Sequence, residues 1–144
     1  MRLAGAGLAW PLAAHAADVK RIGVLMNGVA ANTVAQNYAR IFEDELGKLG
    51  WNDHRNVQLD LRWNAGEPAL ARSYAKDLLG LRPDVLVASS TTNLIAVREL
   101  TRTTPIVFVE VADPVAQGFV DSMEHPGANI TGFTAFRVPS ATDQ

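Results

Sequence analysis

Four consecutive hydroxyl side chains, Ser89-Ser90-Thr91-Thr92, form the run with the clearest capacity for chemistry. They follow an apolar stretch, Asp84–Ala88 (DVLVA), and precede Leu94, Ile95 and Leu100, which mark a helix. Hydroxyls at the opening of a helix stand beside unpaired backbone N–H groups and the positive end of the dipole. That combination suits a carboxylate or another small anion. The plainer reading is that Thr91 or Thr92 caps its own helix and the neighbours fill a loop. Asp113, beside Pro114 and beyond another apolar run, could hold an ammonium group or simply start a turn. Asn27 adds a polar group in the Asn27-Gly28 turn signal. Glu110 reads as a strand-end residue facing solvent. Trp63 is a stacking candidate, whereas Trp51 reads as packing.

Most catalytic chemistries lack their residues. The chain has no cysteine, which removes disulfides, thiolate nucleophiles and iron–sulfur clusters. There is no G-x-S-x-G elbow and no Walker-type phosphate loop. His15, His54 and His125 are scattered without a carboxylate or second histidine at ligand spacing, so neither a metal nor any other cofactor is expected. A phospho-receiver would need an acidic pair where this chain has Met26-Asn27-Gly28. A non-enzyme is the reading that remains, with a small flavodoxin-like enzyme as the alternative from another class.

The elements that position these residues alternate. Lys20–Met26 is an unbroken apolar strand, and a helix follows with Val34, Tyr38, Ile41, Phe42, Leu46 and Leu49 on one stripe. Thr33 and Gln36 match a capping box, and Gly50 stands at the terminating position. Val57, Leu59, Leu61 and Trp63 alternate with polar residues, which predicts a strand at a sheet edge. Pro68 opens a second helix carrying Leu70, Tyr74, Leu78 and Leu81. The runs Asp84–Ala88 and Ile106–Val109 read as buried strands. A short helix is predicted over Val115–Met123 and a fifth strand over Ile130–Thr134. Strand–helix alternation with short connections forces parallel pairing. The expected fold is therefore α/β, a doubly wound parallel sheet in the order 2-1-3-4-5, with ligands binding beyond the carboxyl ends of the strands.

The composition fits one domain. Of 144 residues, 48% are hydrophobic and 19% charged, enough for a packed core. Thirteen Lys and Arg balance fifteen Asp and Glu, which argues against nucleic acid as a partner. No apolar run approaches the roughly 20 residues of a membrane span, so an integral membrane protein is not expected. Residues 1–16 have the order of a secretory signal: Arg2, an Ala/Leu-rich stretch, then Ala14-His15-Ala16. Export to a periplasm and a mature domain over residues 17–134 follow as expectations, and the tail at 135–144 carries no periodicity.

Several stretches taken in order resemble the substrate-binding proteins of a bacterial ABC transporter family: AWPLAAHA, RIGVLM, LGWNDHRNVQLDLRW, LRPDVLVASST and TPIVFVEVADPVAQGFVDSMEHPGANITGFT. The last is the most specific, through Asp113-Pro114-Val115, Gly118-Phe119-Val120, Pro126-Gly127 and Asn129-Ile130-Thr131-Gly132. The resemblance covers roughly residues 8 to 134 and implies one lobe of a periplasmic-binding-protein fold. It also implies a small-molecule ligand, such as an amino acid, and an ABC permease in the inner membrane as partner. Ser89, Ser90, Thr91 and Thr92 are the family positions carried over first, to receive a carboxylate. Asp113 comes second, for an amine, and Asn27 adds a polar contact. The resemblance implies well over a hundred further residues, whereas here 135–144 diverge, so the expectation is a chain without its second lobe. A half-receptor or a non-functional remnant is therefore the second expectation.

Overall fold

The computed structural model describes residues 18–134. The leader segment expected over 1–16 and the tail at 135–144 lie outside the described residues. Five strands and three helices alternate: β1 (Lys20–Met26), α1 (Thr33–Lys48), β2 (Val57–Trp63), α2 (Pro68–Gly80), β3 (Val85–Ser89), α3 (Thr91–Leu100), β4 (Ile106–Val109) and β5 (Ile130–Gly132). All neighbouring strands pair in parallel, in the order β2-β1-β3-β4-β5. The doubly wound α/β sheet expected from the alternation is the fold observed, with the half-polar strand β2 at one edge.

Side chains along each strand alternate between two faces. One face carries Leu25, Leu86, Ala88, Ile106 and Phe108, all completely buried. Over it lie α2, through Ala71, Ala75 and Leu78, and α3, through Leu94 and Val97. Small alanines on α2 let the helix approach the sheet closely, and Gly23 does the same from β1: a Cβ there would stand 2.8 Å from Leu86 Cδ2. The opposite face carries Val24, Met26, Val87, Val107 and Val109, with α1 above it. Five strands about 4.8 Å apart span roughly 20 Å, the width of two packed helices. The second face has one helix among the described residues, and most of its strand residues are half-buried.

Two local expectations are corrected. The cap of α1 is Asn32 and not Thr33: Asn32 Oδ1 accepts from Val34 N at 2.9 Å and Ala35 N at 3.2 Å. Asparagine caps as well as threonine does, and its longer side chain reaches two amides from one position further back. The predicted helix over Val115–Met123 is a single turn. Gln117 N donates to Asp113 O and Gly118 N to Val115 O, and then Gly118, at φ 71°, breaks the winding. The break lets Phe119 and Val120 turn inward and join the buried cluster under α3.

Candidate functional site

The non-glycine residues with left-handed backbone gather at the carboxyl ends of the strands: Ala65 (φ 54°), Ser90 (90°), Glu110 (57°) and Asp113 (41°). His54 and Arg82, at the other end of the sheet, are the remaining two among the described residues. Each such residue costs on the order of 1 kcal/mol or more and persists where surrounding contacts hold it, which is common at binding sites. Ser90, at φ 90° and ψ 157°, occupies a region that glycine alone tolerates easily.

The segments that follow β1, β3 and β4 frame a cavity of about 410 Å³ lined by Asn27, Gly28, Asn32, Tyr38, Ser89 and Glu110, among others. Asn27 is exposed at its mouth. Ser89 is buried at its floor and donates from Oγ to Glu110 Oε2 at 2.9 Å. No basic side chain pairs with Glu110 among the described residues. A second, apolar cavity of about 400 Å³ shares Met26, Tyr38, Ser89 and Glu110, then runs between α1 and the sheet past Phe42, Val24, Val87 and Val107. The geometry thus offers a carboxylate beside an apolar groove.

The four hydroxyls do not act together. Ser89 ends β3 and faces the rim cavity. Ser90 is the N-cap of α3, with Oγ accepting from Asn93 N at 3.4 Å. Thr91 opens the helix, and its N–H is among those a helix cannot satisfy internally. Thr92 lines a different, smaller cavity between α2 and α3, beside Pro68 and Arg72. Asp113 is exposed in the loop beyond β4, where Oδ1 accepts from Ala116 N at 3.1 Å and so starts its own turn. The structure brings together Asn27 and Ser89, places Ser90 and Thr91 at the head of α3, and carries Thr92 to the α2–α3 side.

Asn32 and Tyr38 line the cavity without having been weighed as site residues in the sequence, and Glu110, read there as a strand-end residue facing solvent, is exposed yet also accepts from Ser89 at the cavity. The signal for Glu110 was available: an acid directly after a buried strand at the binding end of the sheet. Its turn back toward Ser89 depends on a positive φ that sequence does not display. Trp63, in register with Met26 at the carboxyl end of β2, is half-buried, and Trp51 lies at the opposite end of the sheet beside Lys20 and Asp84. Among the described residues no cluster of metal-ligating side chains occurs, and no helix is long and apolar enough to cross a membrane.

A doubly wound parallel sheet with polar loop residues gathered beyond its switch point is the architecture of an α/β lobe in which ligands bind at the carboxyl ends of the strands. Residues 22–138 match the family of ABC transporter substrate binding proteins, and the chain belongs to that family. It is 28% identical over 115 residues to a tyrosine-binding protein of Clostridioides difficile (strain R20291), a stretch covering 78% of this chain and 32% of that protein. The ligand-free, open structure of a substrate-binding protein with adhesive properties from Clostridium difficile superposes with a TM-score of 0.73. It is 31% identical, over 83% of this chain and 40% of that one. An ABC domain in complex with L-Trp from Streptococcus pneumonia gives a TM-score of 0.69 at 25% identity, over 80% of this chain and 38% of that one. The chain spans about a third of the curated relative's length, which is the size of a single lobe.

Proposed function

We propose that this chain is the first lobe of an exported solute receptor that delivers an amino acid to an ABC permease. The observation that carries the reading is the Ser89–Glu110 pair. It sets an acid without a cationic partner among the described residues at the mouth of an apolar groove, at the end of a parallel sheet where ligands bind. In this reading Glu110 receives the ligand's ammonium group. The head of α3, with Ser90, Thr91 and their backbone N–H groups, receives its carboxylate. Asn27 adds a polar contact at the mouth, and Tyr38 flanks the side chain. Asp113, with one carboxylate oxygen engaged in its turn, stands as a second acid for the amine from the far side of the rim. The names of two relatives, one tyrosine-binding and one holding L-Trp, support an aromatic amino acid as the first class to test.

Calorimetry with L-tyrosine and L-tryptophan tests this directly. Binding by the wild-type chain, weakened about 10-fold or more in Glu110→Gln, is the expected result, since a charge-assisted hydrogen bond contributes about 1.5–3 kcal/mol. Equal affinity in both proteins would remove Glu110 from the site, and heat with neither amino acid would remove the class. Export is tested separately: secretion from a Gram-negative host should yield a mature chain beginning at Ala17, read by intact mass. A chain retained at full length in the cytoplasm would overturn it. Because the matched relatives are about two to two and a half times as long as this chain, a role as half-receptor, completed by a second lobe, belongs to the same proposal. One lobe supplies one wall of a cleft, so affinity should rise when the second wall is joined to it.

A further inference from the structure

Two asparagines, Asn64 and Asn93, are completely buried beneath the rim. Asn93 Nδ2 donates to the carbonyl oxygens of Leu25, at 3.1 Å, and Ser89, at 2.7 Å. Asn93 Oδ1 accepts from Asn64 Nδ2 at 2.8 Å. Leu25 is the last residue of β1 in register with β3, so the two bridged carbonyls sit where those strands part. Strand order reverses between β1 and β3, which makes this the switch point of the sheet. The Asn93 amide fills the split itself.

Asn64 extends the tie to the loop after β2. Its backbone N donates to Met26 O at 3.1 Å, and the next residue, Ala65, donates to Gly28 O at 2.7 Å. Its Oδ1 accepts from Gly66 N at 3.1 Å. An amide is what the position requires, because it offers two donors and an acceptor in a small volume. An aspartate would set a carboxylate against two carbonyl oxygens, and an apolar replacement would leave both carbonyls buried without partners.

We infer that Asn93, together with Asn64, is a positioning pair that fixes the Asn27-Gly28 loop and the Ser89-Ser90 loop as one wall of the ligand site. The inference rests on the reading that this rim binds a ligand, yet its first test needs none. In hydrogen exchange on the ligand-free chain, Asn93→Ala should speed exchange at the Asn64, Ala65 and Ser90 amides together, by about 10-fold or more, while the amides of α2 keep their protection. Asn129→Ala serves as control. It removes a side chain that donates to Thr104 O at 2.8 Å, at the other end of the sheet, and should leave the three amides unchanged. If Asn93→Ala does not fold, Asn64→Ala keeps both Asn93 donors. It should release Ala65 while Ser90, bonded to Val109 O, stays protected.

Uniform acceleration over the whole chain, or none at the three amides, overturns the inference. The second arm is calorimetry with L-tyrosine: affinity should fall about 10-fold in Asn93→Ala and hold in Asn129→Ala. Equal affinity in all three proteins also overturns it. If the wild-type chain gives no heat while the exchange pattern appears, the ligand reading fails and the positioning pair stands.

Discussion

The two faces of the sheet are built from similar residues and end in different states. Under α2 and α3, Leu25, Leu86, Ile106 and Phe108 are sealed from solvent, and Ala75 and Leu78 are buried with them. Under α1, Val87, Val107 and Val109 are equally apolar yet half-buried, and Tyr38 on the helix above is 55% exposed. The helices differ in the same sense. The first residue before α2, Glu67, makes no side-chain cap, and that helix is held by packing. α1 has a two-bond asparagine cap and one buried residue, Ala39. In α1 and α2 tertiary contact and local capping substitute for one another, whereas α3 has both the Ser90 cap and a buried face.

The largest effect should come from cutting the sealed face. Phe108→Ala removes a completely buried ring wedged under α3 and should cost about 3–5 kcal/mol in urea unfolding followed by circular dichroism. Val107→Ala, one residue away on the opposite face, should cost about 1 kcal/mol or less, because solvent or side-chain movement already relieves any cavity. Equal costs at the two positions would mean that both faces are closed in solution, and the comparison would break.

A smaller effect separates the helices. Asn32→Ala deletes both cap bonds of α1 and should cost about 1 kcal/mol. Since α1 is the less buried helix, the loss should emerge as local opening. Hydrogen exchange over Val34 to Phe42 should quicken several-fold while Ala71 to Leu78 in α2 hold their protection. Equal acceleration in both helices would show that α1 opens only when the whole domain unfolds.

How far the sequence could be read follows the same division. Unbroken apolar runs at Lys20–Met26, Asp84–Ala88 and Ile106–Val109, joined by helices, led to the parallel order, and the alternation from Val57 to Trp63 placed β2 at an edge. These are period signals, and periods are local. Apolar residues on both sides of a strand record a capacity for burial, and they carry no information on whether an element covers each side. The stripe from Val34 to Leu49 on α1 is likewise wider than the contact it makes. Asn27 and Ser89 reached the rim because strand ends fix them. Thr92 left it because the helical turn points successive side chains about 100° apart, and Asp113 took up its own turn. Asn93 was invisible because its meaning lies in Leu25 O, 68 residues away, and nothing local marks such a bond.

The smallest expected effect tests the exposed flank of α1 itself. Val34, Tyr38 and Ile41 are 60%, 55% and 45% exposed, so about half of each side chain stays in water, and the stem of a lysine can cover what an isoleucine covers there. Ile41→Lys should therefore change stability by no more than about 0.5 kcal/mol, the range of ordinary surface substitutions, and lysine is the better helix former. The same change places a charge along the apolar patch, whose neighbours include Tyr38, Phe42 and Phe133. Fluorescence of 1-anilinonaphthalene-8-sulfonate, a dye that reports exposed apolar surface, should be detectable with the folded wild-type chain and fall in the variant. Substituting Leu78 would reduce the fold and raise dye binding, because there the apolar area is inside. A large loss of stability in Ile41→Lys would mean that this flank is covered in solution, and the inequality between the faces would then belong to the isolated lobe alone.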